Sequence, residues 1–140
     1  MTFELKLNSD MKKTLFIVLL SLISSFVLAE EKNVSVPVAT FDTQEHNFGT
    51  IKEADGKVVF DFEVMNTGSA PLLLTDVTTS CGCTARQYTK EPILSGKKGS
   101  VLVTYDPTGR PGPFNKTITV KSNAGKPIIL KIKGEVDPKK

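Results

Sequence analysis

With 140 residues, the chain has room for one ordinary domain and is too short for two comfortable ones. The net charge is +3 and the lysines are scattered, so charge argues neither for nor against nucleic acid. Trp is absent, and any core must rest on Phe, Val, Ile and Leu.

The first predicted element is an export signal. Met11-Lys12-Lys13 makes a positive start, Thr14 to Leu28 is an apolar run with a few Ser, and Val27-Leu28-Ala29 places modest or small residues before a cleavage point. This is the tripartite secretory pattern. The run is shorter than the roughly 20 residues that span a bilayer, and Glu30-Glu31-Lys32 ends it abruptly. No Cys follows it, so a lipid-anchored exit is not expected. Met11 is a better start than Met1, because Glu4 and Asp10 are unusual in front of a signal. The expected organisation is a signal peptide over residues 1–29, a short linker over 30–37, a sandwich domain over 38–137 and a tail over 138–140.

After the linker, short alternating runs separated by turn residues replace any 3.6-residue periodicity. Phe41 and Phe48 mark one or two early strands. Asp55-Gly56 reads as a hairpin turn. Val58, Phe60, Phe62 and Val64 point one way, with Asp61 and Glu63 the other. Asn66-Thr67-Gly68-Ser69 is a turn, and Pro71 to Thr79 reads as the next strand. Val101, Val103 and Tyr105 alternate with Ser100, Leu102 and Thr104; Asp106 to Gly112 is a loop. Ile118 and Val120, then Ile128, Leu130 and Ile132, complete the series around Ser122-Asn123-Ala124-Gly125. The expected core is Phe60, Phe62, Val64, Val103, Tyr105, Ile118, Val120, Leu130 and Ile132, with Glu63, Thr104, Lys121 and Lys131 facing out. About seven short strands predict an all-β, immunoglobulin-like, two-sheet antiparallel sandwich. No helical crossover is present to build a parallel sheet.

An antibody-type domain would carry two distant Cys with a Trp between them; here Cys81 and Cys83 are two residues apart. Other residues are more informative: Phe48-Gly49-Thr50-Ile51, Asn66-Thr67-Gly68 before Pro71-Leu72-Leu73-Leu74, Ser80-Cys81-Gly82-Cys83-Thr84, Val103-Thr104-Tyr105-Asp106-Pro107, Arg110-Pro111-Gly112, and Lys116-Thr117-Ile118-Thr119-Val120. In this order they closely resemble domain-of-unknown-function family 1573, from roughly Ala39 to Val136. The resemblance implies an immunoglobulin-like fold in secreted bacterial proteins, related in shape to the domains of major sperm protein and of the pilus chaperones. It implies no activity, and a shared fold does not transfer chaperoning.

Chemistry in the chain narrows to Cys81 and Cys83. In an extended segment they share a face, where two thiolates could hold a soft ion such as Cu(I) or exchange with a disulfide. A closed zinc site needs two further ligands, and the chain has one His, His46, and no third Cys. The plain alternatives are a local disulfide or two packed thiols. Gly82 lets the backbone bend between them, and Arg86 nearby would lower a thiol pKa. His46 reads as a polar strand or turn residue, with no motif to make it part of a nucleophilic triad. Arg110 and Lys116 could form a basic rim around the Asp106-Pro107-Thr108-Gly109 turn, though an ordinary solvated loop is the simpler reading. Asn115-Lys116-Thr117 has the form of a glycosylation acceptor, which a bacterial-type signal makes uninformative.

No catalytic, cofactor or metal residue can be assigned. The chain is expected to be a non-enzymatic periplasmic or secreted binding or structural module without a cofactor. Its expected partner is another envelope or secreted protein, with no nucleic acid and no stable membrane insertion after cleavage. The alternative is a periplasmic thiol site at Cys81 and Cys83.

Overall fold

The structure, a computed structural model, describes residues 8–23, 33–82 and 84–140. It divides into two units, Met1–Asn33 and Val34–Lys140. In the first, helix α1 (Ser9–Ile23) carries Lys12 and Lys13 ahead of Leu15, Phe16, Ile17 and Val18, whose side chains are exposed. No helix among the described residues is long and apolar enough to cross a membrane. The expected cleavage residues Val27, Leu28 and Ala29 lie outside the described residues.

In the second unit the period-2 runs become strands, because alternation puts every second side chain on one face of a pleated chain. The strands are β1 (Ala39–Phe41), β2 (Glu45–Lys52), β3 (Val58–Asn66), β4 (Leu74–Thr79), β5 (Thr84–Tyr88), β6 (Lys98–Tyr105), β7 (Gly112–Ser122) and β8 (Ile128–Asp137). One sheet has the order β1-β3-β6-β5 and the other β2-β8-β7-β4. Phe62 pairs with Val101 and Phe60 with Val103; Ile118 pairs with Leu130. The apolar faces meet as one core in which Phe62, Val64, Val103, Tyr105, Ile118, Val120, Leu130 and Ile132 are buried. Lys121 and Lys131 are exposed, while Glu63 and Thr104 are partly covered.

The structure departs from the expected pattern in five places. Phe60 is only partly buried, because it lies near an uncovered side of the sandwich. The strand expected from Pro71 begins at Leu74; Leu72, fully buried, makes a separate bridge to Ile93. β5 is an additional strand whose mostly polar residues gave no clear alternation; pairing with β6 holds it. Residues Glu53–Asp55 form a 3-10 turn ending at Gly56, φ 79°, and carry the chain from one sheet to the other rather than closing a hairpin. Finally, β2 and β8 pair in parallel. Strands so far apart in sequence can pair in either direction, without the tight connection that forces antiparallel neighbours.

The Asn66-Thr67-Gly68 turn is held from inside. Asn66 is fully buried. Its Oδ1 accepts from Val38 N (3.3 Å) and Gly68 N (3.0 Å), and its Nδ2 donates to Ala70 O (2.7 Å) and Ile93 O (2.8 Å). One amide therefore ties three chain segments together with its polar atoms satisfied, which burial requires. Gly68 allows the chain entering β1 to come close: a Cβ there would lie 2.2 Å from Val36 O and 2.5 Å from Val38 N.

Candidate functional site

The Cys-Gly-Cys triplet falls at the turn from β4 to β5, where the chain changes sheet. Cys81 is disulfide-bonded and packs partly buried against the core. Its carbonyl accepts from Thr79 Oγ1 (3.1 Å) and Thr84 N (3.4 Å), and its Sγ lies 3.5 Å from Thr84 Oγ1. Cys83 lies outside the described residues. Gly82 does not have a positive φ, and among the described residues nothing beyond its chain neighbours would lie within 4 Å of a Cβ there, so neither ground requires glycine at this position.

Arg86 is engaged differently from the expectation: its Nε donates to Val77 O on β4. Tyr88 Oη donates to Thr75 O (3.5 Å), and Lys90 Nζ sits 3.5 Å over the Tyr88 ring. Two side chains of β5 thus cover carbonyls along the edge of β4 and lace that side of the sandwich shut.

The opposite side, between β2 and β3, is different. β1 pairs with β3 only at Val64, Met65 and Asn66. Asn66 N donates to Lys97 O and Asp42 N donates to Glu63 O. In an antiparallel strand such groups alternate, so even-numbered residues of β3 turn their main chain to β6 and odd-numbered ones to the β1 side. Beyond Phe41, no described residue pairs with Val59 or Asp61 on that side. Among the described residues, their N–H and C=O groups form a short free edge.

Aromatic side chains fill the seam behind this edge. His46 stacks on Phe60 with ring centroids 3.7 Å apart and meets Phe48 edge-on at 4.5 Å. Phe60 touches Phe62 edge-on at 4.8 Å. Phe48 approaches Phe114, which stacks on Tyr105 at 4.0 Å. The six rings run from one sheet to the other, and His46, Phe48 and Phe60 are only partly covered. Burial holds the His46 imidazole below its usual pKa and pushes the Tyr105 hydroxyl up. His46 is therefore a packing residue of β2.

The remaining polar features are ordinary. Asp106 accepts from Thr108 N (3.1 Å), and these Thr108 contacts hold its carboxyl below the usual range. Lys116 lies well inside β7, opposite Ile132, so it does not share a rim with Arg110. On the outer face of β2, β8 and β7, a shallow hollow of about 420 Å³ is lined by Asn47, Thr50, Asn115, Lys133 and Glu135; there β2 bulges between Asn47 and Thr50. Among the described residues no group of three or more His, Cys, Asp or Glu is placed to hold a metal ion.

The free edge was not legible in the sequence. Its one signal is Val59, an apolar residue on the polar face of β3, 51% exposed.

Several solved structures share this architecture. A protein of unknown function from Porphyromonas gingivalis W83 aligns with a TM-score of 0.62 at 20% identity, over 72% of this chain and 47% of that one. The ASH/PapD-like domain 7 of human CEP192 aligns with a TM-score of 0.60 at 12% identity, over 73% of this chain and 87% of that one. The VesB protease of Vibrio cholerae aligns with a TM-score of 0.54 at 22% identity, over 69% of this chain and 31% of that one. The chain thus spans about half the length of the Porphyromonas protein, and at these identities the likeness shows the fold alone. No curated protein matches the sequence. The sequence profile described as "Protein of unknown function (DUF1573)" matches residues 39–136, well over half of the chain, and the chain therefore belongs to that immunoglobulin-like family.

Proposed function

We propose that the chain is an exported, non-enzymatic binding module of the bacterial envelope that takes up an extended segment of another protein along the free edge of β3. The observation that carries this reading is the inequality of the two sides of the sandwich. Arg86 and Tyr88 cover the β4 edge, whereas β1 stops at Phe41 and leaves the main-chain groups of Val59 and Asp61, beside Phe60 and His46, unmatched among the described residues. An exposed edge of this kind is a template for strand addition. The apolar side chains of an added strand would continue the row of partly covered rings. Export rests on Lys12-Lys13, the apolar helix that follows, and the Val27-Leu28-Ala29 pattern.

A photo-crosslinking residue placed at Val59 in the exported chain tests the site, with one at Gln87 on β5 as the control. Adducts at position 59 that disappear when Asp61→Pro removes an edge N–H are expected, with none at 87. Proline is tolerated at an edge because it takes no bond from the β3–β6 ladder. Equal adducts at both positions, or adducts indifferent to Asp61→Pro, would overturn the reading.

A second reading, thiol–disulfide chemistry at Cys81 and Cys83, is favoured by the disulfide at Cys81 in a partly buried turn; soft-metal binding would first require that disulfide to be reduced to thiolates. It requires that Cys81→Ser with Cys83→Ser abolish the phenotype of the chain while leaving the Val59 adducts in place.

A further inference from the structure

We propose that the segment received by the β3 edge is basic, with Lys or Arg at its outward positions alternating with apolar residues at its inward ones. This rests on the reading of β3 as a docking edge and adds the chemistry of the occupant. A strand laid beside Val59 and Asp61 would alternate like β3 itself. Its inward side chains would come beside Phe60 and Phe62 and over the partly covered His46 ring, a setting that selects apolar residues. Its outward side chains would come beside Val59, Asp61 and Glu63.

The charge along that outward margin is one-sided. Asp61 is exposed and makes no hydrogen bond or ion pair with any described residue. Glu63 is shared between Lys98 and Asp42, and Lys98 holds its carboxyl below the usual range. The nearest further lysine along the strand, Lys57, faces Asp106 at 3.9 Å. Among the described residues Asp61 is therefore the one charge of β3 with no partner of its own, and directly opposed charges across strands attract or repel measurably. The same margin argues against a second copy of this chain: two β3 edges brought together would set Asp61 and Glu63 against their own kind.

Two synthetic heptapeptides serve as probes, Ser-Val-Lys-Val-Lys-Val-Ser and the same sequence with Glu for Lys. Each is titrated into the isotopically labelled chain, with the amides of Val59, Phe60 and Asp61 as the readout. The Lys peptide is expected to shift these amides and to bind about tenfold more tightly than the Glu peptide at low salt. The preference should shrink toward 1 M salt. Asp61→Asn should weaken it and Asp61→Lys should reverse it. Equal affinities for the two peptides, with shifts at Val59 and Asp61, would overturn the charge inference and leave the edge standing. Shifts elsewhere, or none with either peptide, would remove the edge reading as well. Concentration-dependent dimerisation of the unliganded chain through β3 would make a second copy the occupant and overturn both.

Discussion

Phe60 and Phe62 lie two residues apart in β3 and point to the same side, yet water reaches only the first. Phe62 is fully buried among Val64, Val101 and Val103. Phe62→Ala should therefore destabilise the fold by roughly 3–5 kcal/mol. Phe60→Ala, at a half-covered ring, should cost under about 2 kcal/mol. Urea unfolding of the pair separates them, and equal losses would place Phe60 in the closed core. His46, stacked on Phe60, makes stability depend on pH. Burial holds its imidazole below the usual 6.5, so folding favours the neutral ring. Stability is full above about pH 6.5 and falls as the pH drops through the gap between the unfolded and folded pKa values. The chain has one His, so His46→Phe should abolish the decline in the urea midpoint between about pH 7 and about pH 5.5. A parent midpoint that is flat over this range would mean that the ring is well solvated. The carboxyls of Glu45 and Glu53 respond only to stronger acid. Lys133 holds the first below its ordinary range, and the N–H groups of Gly109 and Lys139 hold the second.

At the scale of elements, two turns carry family motifs and do different work. The Asn66-Thr67-Gly68 turn anchors the chain that leads into β1. Gly68→Ala would drive a Cβ into the backbone of Val36 and Val38. It should loosen the bonds from Ser69 N and Ala70 N to Val36 O and cost about 1–3 kcal/mol. Hydrogen exchange at Ser69 and Ala70 reads this directly; unchanged protection would show that the segment can shift without loss. The turn from β4 to β5 crosses between sheets with the Cys81 carbonyl already held by Thr79 and Thr84. A three-residue loop closed by a disulfide gains at most ~1.6 kcal/mol of chain entropy, and such a short link leaves little room for good geometry. Cys81→Ser with Cys83→Ser should therefore unfold within about 1 kcal/mol of the parent. A double variant that fails to fold would make the pair structural.

For the whole molecule, the proposed export carries its own prediction. The mature chain is expected to begin at Glu30, which N-terminal sequencing of periplasmic or secreted material checks. Material in the inner membrane that still begins at Met1 or Met11 would refute it. The apolar alternation in β3, β6, β7 and β8 announced two packed sheets and most of their buried residues, though not Asn66, Val101, Phe114 or Val136, since period-2 patterning is a local property of each strand. It also carried the family motifs, whose reason became visible only in space. Nothing around Asn66 predicts that its amide reaches both Val38 and Ile93. β5 was hidden because its residues are mostly polar and pairing with β6 supplies what alternation does not. The parallel match of β2 with β8, the lacing of β4 by Arg86 and Tyr88, and the exposed edge at Val59 and Asp61 depend on which distant strands become neighbours. Side-chain alternation marks the face that leaves water, whereas an edge is open or closed according to where the rest of the chain comes to lie.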